Sequence, residues 1–132
     1  MKTRKIKIAG AESSTRDCKR LCLVHYKELK INYHRGRDDT YWRLQCERII
    51  AYKVTSKEFS RGNYLKHMPI EEGFFEVLDS PWMSEFGKEE NKILDKCKHY
   101  VLLFYDETVE IIAQKFAFEQ LKEKPTSFLN QT

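Results

Sequence analysis

The sequence predicts an α+β domain: a curved, mainly antiparallel sheet built from two hairpins plus a short strand, with one or two short helices packed on it. Two matched pairs of alternating segments and one helix-start signal carry that expectation. Residues 21–33 and 42–54 each alternate apolar and polar side chains. Set face to face, Tyr33 meets Trp42, Ile31 meets Leu44, Leu29 meets Cys46, Leu23 meets Tyr52 and Leu21 meets Val54. That register gathers one apolar face, because strand side chains repeat with a period of two. Its two exceptions, Lys27 and Arg48, fall at the same level. On the opposite face Val24 with Ala51 and Tyr26 with Ile49 are apolar, while Lys30, Asn32, Arg43 and Gln45 are wet.

The turn of this hairpin is expected in residues 35–39, whose Gly36, Asp38 and Asp39 suit a four-residue loop. Residues 56–69 lose all periodicity and read as an exposed connection. Residues 73–78 form a short strand. Ser80-Pro81 then opens a helix, since a capping Ser accepts an orphan amide hydrogen and Pro at the first helical position has none to lose. Gly87 closes it. A second helical piece over about 89–98 places Ile93, Leu94 and Cys97 on one side. The second hairpin joins residues 100–105 to 108–113 through Asp106-Glu107, pairing Phe104 with Val109, Leu102 with Ile111 and Tyr100 with Ala113. A helix over 107–121 is the rival reading; the β-branched start and the misfit of Ile111 and Phe118 to a helical stripe favour strand. Residues 1–124 are read as a single domain and 125–132 as a mobile tail.

The chain has 132 residues and a formal charge of +4, with 24 basic and 20 acidic residues interspersed. That mixture points to solubility rather than to a polyanion partner. Lys2, Arg4, Lys5 and Lys7 precede no apolar run of signal-peptide length, and nothing approaches the roughly 20 apolar residues of a membrane span, so a cytoplasmic protein without membrane contact is expected. Cys18, Cys22, Cys46 and Cys97 are read as reduced thiols. A zinc site from Cys18, Cys22 and His25 lacks a fourth ligand. No metal or cofactor is expected.

No catalytic signature appears: the five glycines form no phosphate loop, and the four histidines are scattered. His99 is read as a structural histidine facing Gln114, and a Cys97 nucleophile beside it fails on geometry. Glu28 opposite Glu47 is the one carboxylate pair, which a bulge or a wet edge explains as well as acid–base chemistry. The expectation is therefore a non-catalytic protein-interaction module, with another protein as partner. Its element order resembles that of small bacterial interaction proteins of the immunity or antitoxin sort, a fold-level analogy. Expected contact residues are Arg35, Tyr41 and Arg43 at the first turn, with Trp82 and Phe86 on the helix, because aromatics and arginines dominate interface centres. Two alternatives are a small-ligand domain with an apolar cavity lined by Tyr26, Trp42, Phe75 and Phe104, and RNA binding. The latter would use the basic N-terminal third (Lys2, Arg4, Lys5, Lys7, Arg16, Lys19, Arg20, Arg35, Arg37), with Tyr33, Tyr41 and Trp42 stacking on bases.

Overall fold

The computed structural model describes residues 2–8, 10–11, 18–25, 28–56, 73–86 and 91–125, without the side chains of 21–25 and 91–92. Seven strands make one antiparallel sheet: β1 (Thr3–Lys5), β2 (Cys18–His25), β3 (Leu29–Arg35), β4 (Thr40–Ser56), β5 (Phe74–Val77), β6 (Lys98–Leu103) and β7 (Glu107–Leu121). Their spatial order is β1-β5-β6-β7-β4-β3-β2. The sheet curls into a half-barrel, so the architecture is mostly sheet rather than α+β. The two helices among the described residues, α1 (Pro81–Ser84) and α2 (Asn91–Leu94), are single turns. Ser80 caps α1 as expected, its Oγ accepting the Met83 amide at 3.0 Å. The expected longer second helix stops at Leu94, with only its last residue, Lys98, belonging to β6, and Ile93 is exposed while Leu94 is buried. Tyr26, Lys27, residues 57–69, Gly87 and residues 126–132 lie outside the described residues.

The turn half of the first hairpin forms in the expected register, with Tyr33 opposite Trp42, Ile31 opposite Leu44 and Leu29 opposite Cys46. The far half does not. The chain reverses between His25 and Leu29, so Leu23 pairs with Ile31, not Tyr52. β7 lies along the other edge of β4 over its whole length, so in the far half Tyr52 faces Ile111 and Val54 faces Val109. Alternation fixes which face a side chain takes, and leaves open which alternating strand lies beside it.

β7 is strand throughout, which rules out the rival helix over 107–121. The second hairpin forms two residues out of the expected register: Tyr100 faces Ile111 and Leu102 faces Val109. A slip of two keeps every side chain on its own face, so the apolar face survives. The loop is Tyr105-Asp106, closed by the Phe104 amide on the Glu107 carbonyl at 2.9 Å. Contacts across the sheet accompany the shift. The Tyr105 amide donates to the Cys18 carbonyl at 2.9 Å, and Arg20 pairs with Glu107, Nη2 to Oε2 at 3.0 Å. The curl thus brings the edge strand β2 onto the β6–β7 turn.

An N-terminal strap crosses the inside of the curl. β1 pairs with β5, which the sequence did not indicate, and the Ile6 amide continues that ladder to the Phe74 carbonyl at 3.0 Å. Ile6 and Ala11 enter the core. Between them Gly10 takes a φ of +94°, and its carbonyl accepts the Tyr33 hydroxyl. A methyl here would lie 2.9 Å or less from three Trp42 ring carbons, so only glycine fits. Beneath the strap, Tyr33, Phe74 and Phe104 pack edge to face or tilted with centroids 5.4–5.9 Å apart, and Phe118 stacks on Phe74. Trp42 and Phe104 are thus core residues packed by neighbours, where the sequence reading had them line a cavity.

Leu44 is fully buried at the centre of this face. Leu44→Asp would bury an unpaired carboxylate and should cost at least about 3 kcal/mol in urea-induced unfolding. Gly10→Ala combines a left-handed backbone with the Trp42 clash and should cost about 2 kcal/mol. Unchanged midpoints would mean that the face, or the strap, is not core.

Candidate functional site

The five residues expected at an interface do not converge. Arg35 shares the core face of β3 with Tyr33, whereas Tyr41 and Arg43 lie on the opposite face of the sheet with His34 and Asn32. Arg35 is buried and grips Asp38, Nε to Oδ1 at 3.1 Å and Nη2 to Oδ2 at 2.6 Å, while its guanidinium sits 4.9 Å from the Trp42 ring centre. Asp38 also accepts from Thr40, and the Arg35 and Thr40 bonds hold its carboxyl well below the usual range. The exposed recognition arginine of the sequence reading is therefore a turn clamp. Arg43 donates to Asn32 at 2.7 Å, and Tyr41 lies 4.9 Å from the His34 ring. Trp82 packs on His99 from α1, and Phe86 is half-buried just beyond that helix.

The basic N-terminal third is likewise partly consumed. Arg4 pairs with Glu76 at 2.9 Å, and Arg20 and Arg35 are paired as above. Tyr33 is fully buried, so it offers no ring face to a base. Glu28 and Glu47 stand one step past the last β3–β4 pair, and each has a partner of its own: the first accepts from Gln45, and the second lies 3.9 Å from Lys115 on the β7 side. Cys46 is buried with its thiol pushed up to about 12, which makes it unreactive.

Two features remain that chemistry can use, back to back on β6. The first is a groove. β6 begins at Lys98 opposite Ala113, yet β7 runs on to Leu121 beside β4. Residues 114–121 therefore have no strand neighbour on their β6 side among the described residues. A groove of about 570 Å³ opens there, lined by Ile8 of the strap, Gln45, Glu47, Lys98, Tyr100, Lys115 and Phe116. Its floor is the Tyr100–Phe116 stack, centroids 3.8 Å apart. A second hollow of about 300 Å³ shares Ile8, Lys98 and Tyr100 and adds Arg4, Lys5, Lys7 and Glu76. The combined rim carries five cations, at Arg4, Lys5, Lys7, Lys98 and Lys115, against the two carboxylates Glu47 and Glu76.

The second feature is a buried polar chain on the other face. Ser80 Oγ lies 2.7 Å from His99 Nδ1, and His99 Nε2 lies 3.0 Å from Glu110 Oε1. The His99 and Glu110 side chains are 0% and 1% exposed. Glu110 Oε2 accepts no hydrogen bond among the described residues, and the Lys53 ammonium stands 3.5 Å from it. Lys53 also sits 4.4 Å from the Trp82 ring centre, and that ring covers His99 edge-on at 5.3 Å. With Glu110 ionised, a neutral imidazole donates from Nε2 to Glu110 and accepts the Ser80 hydroxyl at Nδ1. Burial, with Lys53 adding to it, pushes His99 down to about 4. Burial pushes Glu110 up, and Lys53 works against that. Sequence reasoning set His99 against Gln114 and missed this chain. The available signal was a Glu and a His inside the two most apolar strands, where a polar group needs a partner.

No protein-family model, curated protein or solved structure matches this chain. Among the described residues, no helix is long and apolar enough to cross a membrane, and no cluster of three or more His, Cys, Asp or Glu is placed to hold a metal ion.

The chain makes stability depend on pH. An unfolded imidazole protonates near 6.5, whereas folded His99 resists protonation until about 4, so the unfolded state binds more protons between them. Stability then falls as pH drops through that window, by up to about 3 kcal/mol from this residue. Glu110 opposes this above its ordinary 4.5, because the folded carboxyl keeps a proton that the unfolded one has lost. Unfolding of wild type and His99→Gln in urea at several pH values between about 4.5 and 6.5 should give a steeper acid loss for wild type, by more than about 1 kcal/mol. Parallel profiles would show that His99 is not held neutral.

Proposed function

We propose that this chain is a protein-binding module that takes an extended acidic segment of a partner along the open side of β7. The observation carrying this reading is the groove beside residues 114–121, where a strand with no strand neighbour on its β6 side among the described residues runs along a cationic rim. A bare strand edge presents amide and carbonyl groups that an incoming strand can pair, so main-chain bonds supply affinity and side-chain pockets supply choice. Every second side chain of such a segment would face the Tyr100–Phe116 floor, and carboxylates would meet Lys98 and Lys115. Exposed ion pairs contribute less than about 1 kcal/mol each, so the lysines set sign preference and association rate more than affinity. Arg35, Tyr41 and Arg43 then belong to the turn and its flanking strands.

The test uses a peptide of about nine residues alternating glutamate with valine, titrated into labelled protein and followed by NMR, with its lysine counterpart as control. Alternate amides within residues 114–121 should gain protection from hydrogen exchange, and Lys98→Glu with Lys115→Glu should weaken binding by more than about 1 kcal/mol. Binding of both peptides alike, or protection elsewhere, would refute the reading. RNA binding with a steep salt dependence, lost on neutralising Lys5 and Lys7, would favour the nucleic-acid alternative.

A further inference from the structure

We infer that Ser80, His99 and Glu110 form an acyl-transfer site in which Ser80 is a nucleophile toward small carboxylic esters. The relation of parts is that of an activated hydroxyl: a nucleophile within hydrogen-bond reach of a base, and a base oriented by a third group. Ser80 Oγ is 2.7 Å from His99 Nδ1, and His99 Nε2 is 3.0 Å from Glu110 Oε1. The Ser80 oxygen already accepts the Met83 amide at 3.0 Å, so its own proton is directed to the imidazole and one lone pair remains for attack.

Burial separates the roles. His99 and Glu110 are enclosed, while Ser80 is partly exposed at the mouth of the chain. A capping serine needs neither of the enclosed groups. A buried histidine that served packing alone would be simpler with an apolar neighbour than with a carboxylate that needs Lys53 as its counter-ion at 3.5 Å. Glu110 is here a positioning residue, which fixes the tautomer that leaves Nδ1 free to accept. Lys53 lies beside the carboxylate and over Trp82, where it limits the charge of the enclosed chain.

The step balances as follows. The Ser80 hydroxyl proton passes to His99 Nδ1 as Oγ bonds to the ester carbonyl carbon. The alkoxy C–O bond then breaks, and the departing oxygen takes that proton, leaving an acyl ester on Ser80 and a free alcohol. Water repeats the sequence through His99, releasing the carboxylic acid and restoring the hydroxyl. The Trp82 ring beside His99 favours a small, uncharged acyl group.

A fluorophosphonate probe tests the nucleophile directly, since Oγ forms a P–O bond and fluoride leaves with the proton. Intact-mass measurement should show one adduct per chain, and peptide mapping should place it on Ser80. Labelling of the native protein should exceed that of urea-unfolded protein by roughly a hundredfold, the scale of general-base assistance. Ser80→Asn keeps a capping side chain without a nucleophile, so it should fold, as judged by circular dichroism, and take no label. Glu110→Gln should slow labelling at least about tenfold, and p-nitrophenyl acetate hydrolysis should fall in parallel in both variants. Absence of a Ser80 adduct on native protein, or a rate equal to that of the unfolded chain, overturns the proposal. An adduct whose rate is untouched in a folded Glu110→Gln also overturns it, as it would mark an exposed hydroxyl and nothing more.

Discussion

The pairing of β4 with β7 is the constraint on which the rest of this molecule depends. The two strands run together from Tyr41 opposite Leu121 to Ser56 opposite Glu107. A ladder of that length twists, and a twisted ladder must curl or split. Here it curls, helped by a register shift between Ile49 and Ala51 and by Arg48, whose φ of +54° is a left-handed conformation that a long side chain rarely adopts. Burial follows the bend. Leu44 and Cys46 belong to the core before it and Ala113 and Ile111 beyond it, with Phe116 and Phe118 joining from the other parity of β7. Without the bend β2 would not reach the β6–β7 turn, and the strap would have no concavity to fill.

β6 inherits two environments from this arrangement. Tyr100 and Leu102 belong to the concave core, with Tyr100 at the groove floor. His99 and Val101 point the other way and are buried as well, as are Glu110 and Ile112 on β7. A strand buried on both faces has no solvent to satisfy a polar side chain, so any His or Glu within it must find its partners in the protein. Both proposed activities therefore sit on one short strand, separated by the thickness of the sheet.

The sequence was most legible where chemistry is local. The pairing near the first turn followed from matched alternation over a few residues, and Ser80-Pro81 announced its cap through a side-chain bond three residues long. Legibility failed wherever the deciding contact was distant. Alternation across residues 21–33 is interrupted at Lys27, but one misplaced charge read as an exception within a single strand, so the reversal that splits β2 from β3 went unmarked. Arg48 carries no sign of a left-handed backbone. The two-residue slip of β6 on β7 goes with contacts from Cys18 and Arg20 to Tyr105 and Glu107, more than eighty positions away in the chain. The candidate sites were hidden for the same reason: Ser80, His99 and Glu110 come from three elements, and the groove exists only because one strand outruns its neighbour.

The strap ties the beginning of the chain to strands made much later. Ile6 hydrogen-bonds to Phe74, and Gly10 fits under Trp42 only once the inner face is assembled. During ribosomal synthesis the strap therefore waits, unpaired, until β5 and β7 have left the exit tunnel. β4 waits with the strap, holding one edge bare for the fifty residues that separate it from β7. Pairing over such separations makes folding slow and leaves nascent edges open to other chains. The vulnerable interval of this half-barrel is thus set by the distance between two strands that lie side by side in the finished molecule.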